Sequence, residues 1–325
     1  MNISRLRWII LTVSFVVLIF GATTGLYLGR FIPSLSCGYV GPHLRSGMCV
    51  LPVFQSAMSY CSWESFKYLG EMFLYFSILV ILIGRAWCGW ICPFGFLQDV
   101  LDLLRKKLHL GYLTFPEGVR KNLRCIKWIF LFVALLLPLW AAFPVLAPSV
   151  AAEFSCPFCQ LCPGKYILPL VAADFSRVAV DYGNATAMTL TILGLVFSAI
   201  VVVGALMKRR FWCPYCPMGL LLSFYRKISF IKLKKNCRKC TMCEICYNVC
   251  PVEIQQVFKE REREDVTFTD CTLCLKCVEH CPEDDALRAT FLGKTIYRST
   301  NKGFFSRQDI MTALPEKAAL ERIDE

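Results

Sequence analysis

Two runs near the C-terminal end, CTMCEICYNVCP at 240–251 and CTLCLKCVEHCP at 271–282, share the spacing C-x2-C-x2-C-x3-C-P. Three closely spaced thiolates can hold three corners of an iron–sulfur cubane. The turn at proline carries the fourth thiolate to a neighbouring cubane, as in bacterial two-cluster ferredoxins. The predicted ligand sets therefore exchange members. Cys240, Cys243, Cys246 and Cys281 form one, and Cys271, Cys274, Cys277 and Cys250 the other. Structural zinc sites usually use two separated C-x-x-C pairs and do not need the repeated proline. Cys237 extends the spacing upstream but exceeds the ligand count, so it is read as a spare thiol.

Two more cysteine pairs occur in like settings. GRAWCGWICPFGFL at 84–97 and RRFWCPYCPMGLL at 209–221 each run basic residue, aromatic, cysteine, second cysteine, proline, then glycine two residues on. If the two segments face one another, Cys88, Cys92, Cys213 and Cys216 converge, and four converging thiolates can ligate an iron–sulfur cluster. Local redox dithiols or ordinary turn cysteines are the alternatives. A third motif, SCPFCQLCPG, spaces Cys156, Cys159 and Cys162 like three cubane ligands, with Cys37, Cys49 or Cys61 to supply the fourth. Its alternative is a set of disulfides, for which cysteines two residues apart are geometrically poor partners. Cys125, alone at the start of an apolar run, is read as packing.

The elements carrying these motifs are apolar. Of 325 residues, 56% are hydrophobic, 18% are charged and 20 are cysteine, and the mean hydropathy is +0.51. This is the composition of an integral membrane protein. A crossing takes about 20 residues, and runs of that order lie at 8–28, 69–86, 126–146 and 187–206. Lys and Arg concentrate between the second and third runs and after the fourth, whereas loops 30–66 and 148–184 each hold two. Positive charge stays inside, which predicts a multi-pass protein of the cytoplasmic membrane with both termini cytoplasmic. The segment FGFLQDVLDLLRKKL is expected to lie as a helix on the inner surface, with Phe96, Leu97, Val100, Leu101, Leu103 and Leu104 on one side. The matched cysteine–proline segments predict two helix pairs related by an internal two-fold repeat. The expected fold is an all-α membrane domain of four transmembrane helices over 1–230, a small α+β two-cluster ferredoxin domain over 231–300 and a C-terminal tail over 301–325.

Several functions are excluded. Only His43, His109 and His280 occur, none inside an apolar run, and no C-x-x-C-H is present. No haem is expected. The net charge of +12 flanks the spans, so no nucleic-acid partner is expected. No catalytic constellation is visible. Trp87, Trp90, Phe211 and Trp212 beside Arg85 and Arg210 would suit a quinone, although an interfacial aromatic belt looks the same.

Two cysteine–proline motifs at inner helix ends, followed by a two-cluster ferredoxin, resemble the family of NapH- and NosR-like membrane polyferredoxins. The resemblance spans residues 1–300 in architecture, and its sharpest motifs are 85–95, 209–219, 240–251 and 271–282. It departs in shortening C-x3-C-P to C-x2-C-P at Cys213 and Cys216 and in its six outer-loop cysteines. The resemblance implies an electron-transfer subunit of an oxidoreductase complex more than a stand-alone enzyme. Such a subunit would relay electrons between a cytoplasmic or quinone donor and a redox partner, such as an extracytoplasmic redox protein, through iron held by these cysteines. A metal-reducing assembly factor for another membrane enzyme is the alternative.

Overall fold

The computed structural model describes residues 2–28, 49–60, 62–113, 115, 117–141, 157–175, 178 and 182–305. Helix α1 (Ile3–Phe20) begins earlier than its apolar run because the Asn2 side chain accepts from the Arg5 amide, satisfying one orphan N–H. A short helix, α2 (Val50–Tyr60), precedes α3 (Trp63–Ile83), whose cap is Ser62. Helices α4 (Ala86–Trp90) and α5 (Pro93–Lys107) carry the first cysteine–proline motif. Next come α6 (Glu117–Arg124) and α7 (Ile126–Ala141), the latter with Pro138 inside. Then come α8 (Pro157–Leu161), α9 (Pro163–Val171), α10 (Ala185–Met207) and α11 (Pro217–Phe224). Among the described residues, three segments are long and apolar enough to cross a membrane: Ile3–Thr24, Trp63–Ile83 and Ala185–Met207. The run expected at 126–146 is described only to Ala141, which leaves 16 residues of helix.

The membrane cysteine–proline motifs have one local role. Cys92, Cys162 and Cys216 are the N-caps of α5, α9 and α11, each with proline in the first turn. Proline suits a helix start because its missing N–H would go unpaired there anyway. Each motif thus sets a sulfur against the positive end of a helix, where thiolate is favoured.

Helix α5 differs from the simple amphipathic expectation. Val100, Leu103 and Leu104 are exposed, as a membrane-surface helix requires, while its polar residues Gln98, Asp99 and Arg105 are buried. They face the protein, where α5 packs against α1 and α10.

The last third folds around a three-stranded antiparallel sheet. Its strands β1 (Ile231–Lys235), β2 (Leu287–Phe291) and β3 (Lys294–Arg298) lie in that order, with Leu233 opposite Ala289. Short helices α12 (Ile245–Asn248), α13 (Gln256–Lys259) and α14 (Lys276–Glu279) complete it. Its core gathers Leu233, Ile254, Val266, Leu273 and Val278, joined by Ile3 and Ala86 from the membrane helices.

Polar contacts fasten this unit to the apolar helices. Lys127 Nζ is 2.7 Å from Asp270 and Lys208 Nζ is 3.0 Å from Glu253. Tyr112 donates to Glu253 at 2.5 Å and Arg226 to Thr269 at 2.8 Å. The Ser4 amide, at the start of α1, donates to Glu279 on α14 at 3.1 Å. Basic residues at helix ends, read from sequence as orientation signals, therefore also dock the C-terminal unit.

Candidate iron–sulfur sites

Two small pockets in the C-terminal unit are walled by cysteine. Cys240, Cys243, Cys246 and Cys281 line the first. Cys246, Cys250, Cys271, Cys274 and Cys277 line the second. Each run thus contributes a cysteine to the pocket built mainly by the other. Met242 and Glu244 in the first run, and Leu273 and Leu275 in the second, hold left-handed backbone at φ of 57°, 59°, 50° and 60°. Strain at matching positions of both runs, in residues with a Cβ, is the mark of loops wrapped around something.

Burial pushes the Cys246 and Cys271 thiols up to about 12, and neighbouring cysteines add to the effect. Burial likewise raises Cys281 and holds Cys277 well above its usual value. Such sets ionise together only when cationic metal joins them. Among the described residues, no three Cys, His, Asp or Glu side chains close on a single ion position. A ring of thiols around a pocket suits a multi-iron group, whereas zinc draws its ligands to about 2.3 Å.

In the membrane domain, seven cysteines line one cavity of about 130 Å³. Cys88, Cys92, Cys213 and Cys216 converge there from the two cysteine–proline segments, and Cys49, Cys159 and Cys162 join them. The inner and outer sets expected at opposite faces therefore share a wall. The reason is the path of α8, which packs against Gly194 near the middle of α10. A Cβ on Gly194 would run into the Gln160 carbonyl and the Tyr166 ring. Cys37, Cys61 and Cys156 lie outside the described residues. Cys125, expected to pack, is exposed. Cys237 is half-buried, its thiol directed at the Arg263 carbonyl at 3.7 Å.

Trp87 and Trp212 are buried on the cavity wall rather than set in an interfacial belt. The Trp90 indole donates to the Leu273 carbonyl at 2.9 Å. Beside it, a Cβ on Gly89 would collide with the Thr272 carbonyl, with the Cys274 amide nitrogen at 3.2 Å. The loop bearing Cys271 and Cys274 is thus seated against the turn bearing Cys88.

Sequence reasoning missed the charges behind the cavity. Arg210 forks onto Asp99, with Nε to Oδ1 at 3.0 Å and Nη2 to Oδ2 at 2.8 Å, and its Nη1 donates to the Cys88 carbonyl at 2.8 Å. Arg7 also pairs with Asp99 and donates to the Gly89 carbonyl at 2.8 Å. Burial alone would raise Asp99, but Arg210 and Arg7 outweigh it and hold the carboxyl below the usual carboxylate range. Gln98 accepts from the Trp212 amide at 2.9 Å and points its own amide at Cys213 Sγ, 3.6 Å away. The available signal was polarity beside or within apolar runs: Arg7 just before the first span, and Gln98 and Asp99 within α5.

Family profiles for 4Fe-4S proteins match the segments that carry these cysteines. A family profile described as a 4Fe-4S binding domain matches residues 72–111 and 190–236, covering both cysteine–proline segments. One described as a 4Fe-4S dicluster domain matches 232–282. The ferredoxin-type protein NapH of Escherichia coli (strain K12) is 26% identical over 64% of this chain and 63% of its own length. The regulatory protein NosR of Stutzerimonas stutzeri is 26% identical over 66% of this chain and 26% of its own. These similarities support a likeness to the NapH- and NosR-like membrane polyferredoxins. YccM of Escherichia coli (strain K12) is 28% identical over 64% of this chain, which spans about half, 51%, of YccM's length. No solved structure matches. With three helices apolar and long enough to cross a membrane and two 4Fe-4S family profiles, the chain is a membrane protein with [4Fe-4S] clusters.

Proposed function

We propose that the chain relays single electrons between its ferredoxin domain and a cysteine-lined centre inside the membrane domain, on behalf of partners in a membrane redox complex. The observation that carries this reading is the seat of the Thr272 loop on Gly89. It brings the pocket of Cys271, Cys274, Cys277 and Cys250 against the cavity of Cys88, Cys92, Cys213 and Cys216. Thr272 lines both, as Cys246 lines both ferredoxin pockets. The order is then the Cys240, Cys243, Cys246 and Cys281 set, the Cys271 set, and the cavity. One-electron storage is the chemistry that [4Fe-4S] cubanes supply when bound. The residues hold the sites close, exclude water with Phe158, Trp87 and Trp212, and keep thiolates at helix N-termini.

Within the cavity, the four cysteines of the two cysteine–proline segments make one ligand set. Cys156, Cys159 and Cys162 make a further one with a fourth member from Cys37, Cys49 or Cys61, of which Cys49 lines the same space as Cys159 and Cys162. Four crossings and cytoplasmic termini complete the reading, with the ferredoxin domain over 231–300 and acceptors reached through the membrane domain.

Iron content of the purified full-length chain tests it. About sixteen irons are expected with all four sets filled, about twelve with one cavity cluster and about eight with the ferredoxin pair alone. Cys213→Ser should remove about four irons and leave the ferredoxin signals reducible. An unchanged count, or a wild type with only eight, would sink the cavity centre. Sidedness is tested separately by fusing a reporter active only in the cytoplasm. It should work after Glu325 and fail near Gly183.

A further inference from the structure

The two cysteine–proline segments grip one another through exchanged arginines. Arg210, three residues before Cys213, reaches the first segment, where a Cβ on Gly95 would stand 3.4 Å from its Nη2 and 3.2 Å from the Cys88 carbonyl. Arg85, three residues before Cys88, makes the mirrored contact. A Cβ on Gly219 would stand 3.1 Å from Arg85 Nη2 and 3.6 Å from the Cys213 carbonyl. The relation is reciprocal, and its counter-charge is not.

Asp99, seven residues after Cys92, takes the Arg210 fork. Seven residues after Cys216 stands Ser223, whose hydroxyl is turned back onto the Leu220 carbonyl at 2.7 Å. Arg85 is 4% exposed, and its Nε and Nη1 have no hydrogen-bond partner among the described residues. It lies on the cavity wall with the four cysteines, whereas Arg7 and Arg210 stand behind that wall. Lys165, also on the wall, is half-buried and bonded to Gln160. An arginine cannot shed its proton in a protein. A buried cation without a partner is strongly unfavourable, so an anion belongs beside it.

We propose that Arg85 is the counter-charge of the anionic iron–thiolate centre in the cavity and raises its reduction potential, drawing electrons from the ferredoxin domain into the membrane. The proposal rests on the cavity reading above. In the step concerned, one electron leaves the centre held by the Cys271 set, which is oxidised, and enters the cavity centre, which is reduced. The incoming electron adds negative charge. A fixed cation at the wall therefore favours the reduced state over the oxidised one. Arg85 lines the cavity and not the Cys271 pocket, and it positions charge without itself reacting.

The test is a redox titration of the full-length chain in detergent, followed by electron paramagnetic resonance and paired with iron counts. Arg85→Gln should lower the cavity potential so that, at the wild-type midpoint, the reduced-to-oxidised ratio falls about tenfold or more, 59 mV for one electron. Arg85→Lys should recover most of the shift. Ser223→Asp leaves Arg85 in place and supplies the carboxylate that Asp99 gives Arg210. It should shift the potential the same way, with the ferredoxin signals unmoved in every variant. Loss of cavity iron in Arg85→Gln with retention in Arg85→Lys also supports a counter-charge. Full iron with an unmoved potential in Arg85→Gln or Ser223→Asp overturns the proposal, as does iron loss in Arg85→Lys. A wild type with about eight irons instead fails the cavity reading itself, before Arg85 is in question.

Discussion

The ferredoxin domain and the membrane domain each set two like motifs face to face, but they trade different residues across the join. In the ferredoxin domain the traded residue is a cysteine: Cys281 walls the pocket of the first run and Cys250 that of the second. In the membrane domain it is an arginine, with Arg210 reaching Gly95 and Arg85 reaching Gly219. The first trade joins two cysteine-lined pockets. The second locks together the two segments that wall one shared cavity. Similar cysteine–proline spellings thus serve different physics. In the ferredoxin domain proline turns the chain toward a neighbouring pocket, and in the membrane domain it starts a helix whose N-cap is the cysteine.

The largest expected effect tests the cysteine trade. Cys250→Ser should cost about four irons and extinguish the signal of the Cys271, Cys274 and Cys277 set, not that of its sequence neighbours. Adding Cys274→Ser should remove little more, because both substitutions strike one cluster. A double variant that loses about eight irons would mean the runs do not exchange ligands.

The arginine trade is tested next, by Asp99→Asn. Removing the carboxylate leaves Arg210 and Arg7 buried without their counter-charge, a loss of about 3–5 kcal/mol. The matching change in the ferredoxin domain, Asp265→Asn, breaks a pair with Lys232 in which the two side chains are 42% and 30% exposed. It should cost under about 1 kcal/mol. Thermal unfolding in detergent should therefore separate the two variants widely. Equal losses would show that the Asp99 pairs are no more than surface contacts.

How far the sequence was legible follows the same division. Both ferredoxin ligand sets lie within 240–281, so spacing alone predicted which cysteines would share a pocket. The membrane cavity draws on the start of α2, α4–α5 with the turn before them, α8–α9, and α11 with the turn before it, and local spacing says nothing about how those pieces meet. The convergence of Cys88, Cys92, Cys213 and Cys216 was legible through the repeated motif. The approach of Cys49, Cys159 and Cys162 was not. It depends on Gly194, which reads in sequence as one more small residue in a span. Asp99 was hidden because the hydrophobic side of α5 is its exposed side, so a pattern read for burial points away from the functional face.

A third prediction addresses the seam between the two domains. A side chain at Gly89 must displace the Thr272 carbonyl, so Gly89→Val should lift the Cys271 loop off the Cys88 turn. The expected result is slowed reduction of the cavity centre from the ferredoxin domain with all iron retained, read by stopped-flow absorbance. A rate equal to wild type would remove the seat as the electron route.

The smallest effect concerns the ion pairs around that seam. Lys127 and Asp270 are 8% and 11% exposed as side chains, and Arg124 Nη1 stands 3.4 Å from the same carboxylate. The cluster is sheltered enough to exceed a surface pair and open enough that water can reach its edge, which places Asp270→Asn at about 1–2 kcal/mol of docking free energy. The variant should keep every cluster, because Asp270 precedes Cys271 without lining either pocket. Only the equilibrium between seated and lifted states should move. Limited proteolysis between α11 and β1 reads that equilibrium, and cleavage should run several-fold faster in the variant at low salt. Raising the salt should narrow the gap, since it screens the partly open pair in the wild type and has nothing left to screen in the variant. A gap that stays constant with salt would assign the docking free energy to the Trp90 and Gly89 contacts, with Asp270 contributing shape rather than charge.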